Sequence, residues 1–202
     1  FFIAFLVGAD ELMLGPLLTP IGRELGVQPE RVTLFITAYS LALALIAPLL
    51  GSLSDRLGRV RIMLPAALLF GAASIATGLV DSFEWGLASR VLTGLASAGM
   101  LPIAFALAAD GTGKDAMKRI AWVQSGLTLG MIASPALGAL LAQWLSWRAA
   151  FILLGLCAWG VAAALALLPA GRPSADRSAA QQEEKGVRLL AIPGAAGALL
   201  AM

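Results

Sequence analysis

Six long apolar runs, separated by short polar links, make up most of the chain. Each run is close to the roughly 20 residues that an α-helix needs to cross the hydrocarbon core of a bilayer. The apolar positions do not alternate with polar ones, as they would in the strands of a membrane β-barrel. We therefore predict an all-α membrane protein, because a helix satisfies its own backbone hydrogen bonds within lipid. The predicted spans are residues 1–21, 32–50, 62–80, 83–109, 120–144 and 149–168.

The polar residues after the sixth run divide the chain into three predicted parts. Residues 1–168 form a six-helix transmembrane bundle. Residues 169–188 are rich in Ser, Gln and Glu, which is typical of a flexible linker. Residues 189–202 open a new apolar run, which we interpret as the start of a truncated seventh helix. The chain also begins within an apolar run and without an initiator methionine, so we expect it to be part of a longer polypeptide.

Composition narrows the class of protein further. Hydrophobic residues make up 59% of the chain and charged residues 13%, whereas a soluble domain is about a quarter charged. The sequence has no histidine, and its one cysteine, Cys157, lies in an apolar run, so no disulfide, metal site or cofactor is predicted. No spacing of a nucleophile and a base indicates an enzyme. The lipid bilayer is the expected partner, and a nucleic acid is not.

Lysine and arginine positions predict the orientation in the membrane. When the polar links are assigned alternately to two sides, one side holds ten of the 14 basic residues. The positive-inside rule places that side in the cytoplasm, together with the N-terminus and the linker. We therefore predict a multi-pass membrane protein with this orientation, and we expect it to lie in a bacterial cytoplasmic (inner) membrane. Trp85, Trp144 and Trp147 fall at predicted outer helix ends, where aromatic belts sit.

Two adjacent acids, Asp10 and Glu11, lie within the first span, about 20 Å along a helix from Arg23 and so near mid-membrane. A carboxyl group at this depth is costly and marks a candidate site for a proton or cation. The alternative is a carboxyl that is paired or hydrogen-bonded across helices. Glu11 shares a stripe of small and polar residues, so we predict that it faces a neighbouring helix or cavity and that Asp10 lies beside it. The other members of this stripe are Gly8, Gly15, Thr19 and Gly22.

Arg90 is the third charge at membrane depth. It shares one face of the fourth span with Gly86, Gly94 and Ser97, which suggests a face turned towards a cavity. There Arg90 could pair with a carboxylate of the first span or with an anionic substrate. The alternative is that its long side chain snorkels to the outer interface.

The fifth span carries a stripe of four small residues at intervals of four, with Pro135 embedded among them. Such a stripe lets a partner helix approach closely, and a proline bends a helix. The four residues are Gly126, Gly130, Ser134 and Gly138. Gln124 and Thr128 on another face, and Tyr39 in the second span, are weaker candidates for lining a cavity.

A short basic link joins the second and third spans and is predicted to be a tight cytoplasmic turn. Its residues resemble the signature loop of the major facilitator superfamily, with Gly51, Asp55-Arg56, Gly58-Arg59 and Arg61 at the family's spacing. Two further segments resemble motifs of that family. Arg90 with Gly94 and Gly99 is similar to the motif of helix 4. Gly130, Ser134-Pro135 and Gly138 are similar to the helix 5 motif of drug:proton antiporters, although that motif prefers Gly-Pro and then paired glycines.

The resemblance implies the N-terminal half of a twelve-helix fold, built as two inverted repeats of three helices with the substrate cavity between the halves. It implies that the signature loop is a conformational latch that braces the outward-facing state. Arg59 would pair with Asp110, and Asp55 would cap a helix in the missing C-terminal half.

These features favour a proton-coupled secondary transporter that exports small amphipathic compounds by alternating access. Asp10 or Glu11 would be protonated in alternation with substrate binding, and Arg90 would take part in the coupling. The expected partners are a small-molecule substrate, protons and the C-terminal six helices. The alternatives are an uptake transporter for a sugar or an organic anion, with Arg90 as the anion contact, and a membrane sensor or scaffold that does not transport.

Overall fold

The computed structural model describes residues 1–110 and 113–167, and these residues form a bundle of α-helices. All six predicted spans are present as helices that are long and apolar enough to cross a membrane. The fourth span, Phe83–Ala109, consists of two shorter helices, α4 and α5. The predicted linker and seventh helix lie outside the described residues. The helices are α1 (Phe2–Glu24), α2 (Pro29–Leu57), α3 (Arg59–Leu79), α4 (Phe83–Ala98), α5 (Leu101–Ala109), α6 (Gly113–Trp144) and α7 (Trp147–Leu167).

The predicted turn between the second and third spans is almost entirely helical, so its predicted extent was wrong. Gly51 lies inside α2, and Gly58 alone separates α2 from α3. Nothing between them breaks a helix, and basic residues are favourable near a helix C-terminus. The helix therefore continues past its apolar run. Gly58 has a φ of +99°, a backbone conformation that costs an L-residue free energy and that glycine adopts freely.

The break in the fourth span follows from the residues around Gly99. The N–H groups of Gly99 and Met100 donate to carbonyls only three residues back, which tightens the chain into a turn. Pro102, in the first turn of α5, has no N–H with which to continue the ladder from α4. The fourth span is therefore interrupted about two-thirds of the way along.

The helices pack in three close pairs, α1 with α6, α2 with α4, and α3 with α7. Exchanging the first span with the fourth, the second with the fifth and the third with the sixth converts the first pair into the second. The same exchange returns the third pair to itself. This is the arrangement of two inverted three-helix repeats, and it confirms the predicted fold.

Glycines bring the paired helices into backbone contact. A side chain at Gly130 would collide with the carbonyl of Phe5 in α1, and one at Gly94 with the carbonyl of Tyr39 in α2. The small residues of the fifth span, Gly126, Gly130, Ser134 and Gly138, are all buried. The stripe that the sequence predicted as a packing face is therefore the contact face of α6.

We call the end of the bundle that carries Gly58 and Asp110 the basic end, and the end that carries Glu24 and Asp81 the opposite end. Each span runs from one of these ends to the other. The charged candidate residues form three groups, one at the basic end, one at the opposite end and one inside the bundle between them.

Candidate functional site

Asp10 and Arg90 form an ion pair inside the bundle. Arg90 Nη1 donates to Asp10 Oδ1 at 2.8 Å, and Nη2 donates to Oδ2 at 2.6 Å. Both side chains have 0% of their surface exposed. Such a bidentate contact engages both terminal nitrogens of the planar guanidinium and fixes its orientation. The pair connects α1 of the first repeat to α4 of the second.

Two aromatic rings lie against the guanidinium. Arg90 Cζ lies 4.9 Å from the centre of the Tyr39 ring and 5.6 Å from that of Phe151. Tyr39 in turn donates its hydroxyl proton to Ser97 Oγ at 3.0 Å. Within the described residues Arg90 Nε has no hydrogen-bond partner. The charge of Arg90 is therefore balanced by Asp10 and by two ring faces, and loss of the negative charge at Asp10 leaves it poorly compensated.

Of the two acids, Asp10 and not Glu11 contacts another helix of the bundle, so this part of the prediction was wrong. That Glu11 faces a cavity stays a prediction. Asp10 points into the bundle with Leu14 and Leu17, whereas Glu11 is partly exposed. In the stripe assigned to Glu11, Gly15 and Thr19 are exposed. The leucine face of α1 packs inside the bundle and does not face lipid, and Asp10 is tolerated there because Arg90 neutralises it.

Arg90 pairs with a carboxylate of the first span, which was one of the two contacts that the sequence suggested. Its full burial rules out snorkelling to the interface. Sequence analysis missed Phe151, which α7 contributes to the site. A phenylalanine in an apolar span carries no signal that separates it from ordinary core residues.

At the basic end Arg59 contacts two carboxylates. Arg59 Nη1 lies 2.9 Å from Asp110 Oδ2, and Nη2 lies 3.3 Å from Asp55 Oδ1, one helical turn earlier. The contact of Arg59 with Asp110 is the one that the resemblance implied. The side chain of Asp55 is 63% exposed, and Arg56 and Arg61 are also exposed.

At the opposite end Arg148 joins three helices. It donates from Nε to Glu24 Oε1 at 2.8 Å, from Nη2 to Asp81 Oδ1 at 3.1 Å, and from Nη1 to the carbonyl of Gly78 at 3.2 Å. Trp147 Nε1 donates to the other carboxylate oxygen of Glu24. Trp147 is only 2% exposed, so its predicted place in an aromatic belt was wrong. Its hydrogen bond to Glu24 and its packing against Phe151 hold the ring inside the bundle. Trp85 and Trp144 are exposed.

The weaker candidates divide between two places. Tyr39 belongs to the surroundings of Arg90, as described above. Gln124 donates to Thr128 at 3.2 Å, and both side chains line a shallow groove of about 340 Å³ on the exposed face of α6. Among residues 1–110 and 113–167 no group of three or more potential metal ligands lies together.

The sequence model of the Major Facilitator Superfamily matches residues 1–201. The chain belongs to the major facilitator superfamily. Within that superfamily it is 37% identical to the bacillibactin exporter of Bacillus subtilis, over 65% of this chain and 35% of that protein. It is 34% identical to a chloramphenicol resistance protein of Streptomyces lividans, over 84% of this chain and 44% of that protein. A putative multidrug resistance protein MdtD of Cronobacter sakazakii is 30% identical, over 82% of this chain and 36% of that protein.

The chain spans less than half the length of these curated relatives of the superfamily. Their names include exporters and resistance proteins, as the resemblance to the drug:proton antiporter branch predicted. Six apolar spans and the family together make the protein an integral, multi-pass membrane protein.

Proposed function

We propose that the full-length protein is a proton-coupled secondary transporter that exports small amphipathic compounds by alternating access. The observation that carries this proposal is the enclosed ion pair between Asp10 and Arg90. Relatives named as exporters and resistance proteins support the direction of transport and the class of substrate. We further propose that the basic end lies in the cytoplasm of a bacterial cell and that the latch at Asp55 meets the C-terminal half.

Asp10 is the proton acceptor in this proposal. When its carboxylate takes up a proton, the attraction that holds Arg90 in place is lost. Arg90 is then a cation in an apolar interior without a negatively charged partner, and this raises the free energy of the protein. A rearrangement of the two six-helix halves that brings water or another anion to Arg90 removes that cost, so protonation and conformation are linked.

Arg90 serves as the counter-charge and does not bind an anionic substrate directly. Both of its terminal nitrogens are already used by Asp10. An anion could replace Asp10 only after its protonation. The uptake of an organic anion with Arg90 as the first contact is for this reason the less favoured alternative.

The test uses the full-length protein in liposomes with an imposed pH gradient and chloramphenicol as the probe. We expect Asp10→Asn to abolish proton-driven accumulation, because the amide cannot carry the proton. Glu11→Gln is the matched control, since it removes the adjacent carboxyl group and should keep most of the activity. Asp10→Glu, which retains a carboxyl group, shows whether the loss reflects chemistry or folding. Full proton-driven transport by a folded Asp10→Asn protein would refute the proposal.

A further inference from the structure

The ion-pair clusters at the two ends of the bundle have the same composition. The basic-end cluster consists of Asp55, Arg59 and Asp110, and the opposite-end cluster consists of Glu24, Asp81 and Arg148. In each, one arginine contacts two carboxylates. In each, the arginine is the least exposed member, at 14% and 23%, and one carboxylate is largely exposed.

The inverted repeat relates one contact of each cluster to one contact of the other. These are the contact of Arg59 with Asp110 and the contact of Arg148 with Glu24, which we call the central contacts. Glu24 ends the first span and Asp110 follows the end of the fourth, while Arg59 begins the third span and Arg148 stands second in the sixth. The separation from Glu24 to Asp110 equals the separation from Gly8 to Gly94, two glycines that meet the backbone of equivalent partner helices. The separation from Arg59 to Arg148 is only three residues longer. Asp55 and Asp81 do not correspond in this way.

Each central contact joins the two repeats. Arg59 belongs to the first repeat and Asp110 to the second, whereas Arg148 belongs to the second and Glu24 to the first. The operation that exchanges the repeats also exchanges the ends of the bundle. A contact that stabilises one arrangement of the helices at the basic end thus has a counterpart at the opposite end. This counterpart stabilises the arrangement that results when the two repeats exchange roles.

We propose that the cluster of Glu24, Asp81 and Arg148 is a second conformational brace, which biases alternating access in the direction opposite to the bias of the Arg59 cluster. This inference rests on the proposed alternating access. If the Arg59 cluster favours the state that is closed at the basic end, the Arg148 cluster favours the state that is closed at the opposite end. Arg148 is a positioning residue in this account and touches no substrate.

The arginine of the opposite-end cluster makes more hydrogen bonds than the arginine of the basic-end cluster. Arg148 makes three aligned hydrogen bonds and lies 4.9 Å from the centre of the Trp147 ring. Among the residues that the structure describes, Arg59 has one hydrogen bond, to Asp55, and its contact with Asp110 is a charge contact without an aligned N–H. Removal of Arg148 should therefore change the conformational equilibrium at least as much as removal of Arg59.

Spin-label distance measurements on the full-length protein test this inference. Labels at Gln28, at the opposite end, and at Lys118, at the basic end, are each paired with a label at the same end of the C-terminal half, in a background that includes Cys157→Ser. We expect Arg148→Gln to change the ratio of the two distance populations by about fivefold, and Arg59→Gln to change it by a similar factor in the reverse direction. The double variant should return close to the wild-type ratio.

Arg23→Gln is the matched control, because Arg23 is an exposed arginine at the same end as Arg148. An Arg148→Gln protein that matches this control, or that shifts the ratio in the same direction as Arg59→Gln, overturns the inference and leaves alternating access intact. A charge reversal, Glu24→Arg with Arg148→Glu, checks that a shift reflects the ion pair, and the wild-type ratio should largely return. A single distance population in every variant would overturn alternating access itself and the inference with it.

Discussion

Replacing Asp10 by asparagine leaves Arg90 as an uncompensated charge in the enclosed interior of the bundle. Both partners are fully buried and are joined by two hydrogen bonds of 2.8 and 2.6 Å. Removing one partner of a buried ion pair costs roughly 3–5 kcal/mol, because the desolvated charge that remains has no partner. An asparagine can still accept one hydrogen bond from Arg90, so we expect a loss near the lower bound, about 3 kcal/mol in the free energy of unfolding.

The assay is unfolding of the full-length protein in mixed micelles by titration with a denaturing detergent. Glu11→Gln provides the reference, with an expected change within about 0.5 kcal/mol, because Glu11 is partly exposed. The double variant Asp10→Asn with Arg90→Gln should recover at least half of the loss, since no buried charge then remains. The reasoning fails if Asp10→Asn costs no more than Glu11→Gln, or if the double variant is less stable than the sum of the single changes predicts.

Three further predictions use the same unfolding titration. Gly130→Ala should cost about 1–3 kcal/mol, because the new methyl group meets the α1 backbone, while Gly15→Ala, at an open position inside α1, should stabilise by about 0.5–1 kcal/mol. Equal effects of the two substitutions would contradict the proposed packing. Gly58→Ala should cost about 1–2 kcal/mol because of the positive φ at this position, whereas Gly51→Ala inside α2 should stabilise by about 0.5–1 kcal/mol. A Gly58→Ala protein as stable as the wild type would be inconsistent with the single-residue connection between α2 and α3. Tyr39→Phe should cost about 1 kcal/mol, because the hydrogen bond to Ser97 is lost while the ring beside Arg90 is kept. A loss as large as that of Asp10→Asn would contradict the view that Asp10, and not Tyr39, mainly compensates the charge of Arg90.

The sequence was sufficient to predict the family and the six spans of the described residues, because each depends on patterns along the chain. Uncharged runs of spanning length identify helices, and the spacing of Gly51, Asp55, Gly58 and Arg59 identifies the signature loop. Helix ends were less predictable. An α-helix continues past its apolar run wherever no residue breaks it, so α2 ended at Leu57 and α6 began at Gly113.

The orientation of the first span could not be predicted from its own residues. A stripe of small residues and a stripe of leucines are both compatible with the interior of a bundle, and the choice between them depends on the partners. Arg90, far away in the sequence, makes burial of Asp10 tolerable. In the same way, the hydrogen bond to Glu24 holds Trp147 away from the interface, and no residue near Trp147 in the sequence predicts this contact.

The release of protons from the detergent-solubilised full-length protein upon addition of chloramphenicol tests the role of Asp10 most directly. A pH-sensitive dye in weakly buffered solution reports the number of protons released per protein. We expect proton release from the wild type and from Glu11→Gln, and none from Asp10→Asn. Equal release from Asp10→Asn and the wild type would show that the proton is carried elsewhere.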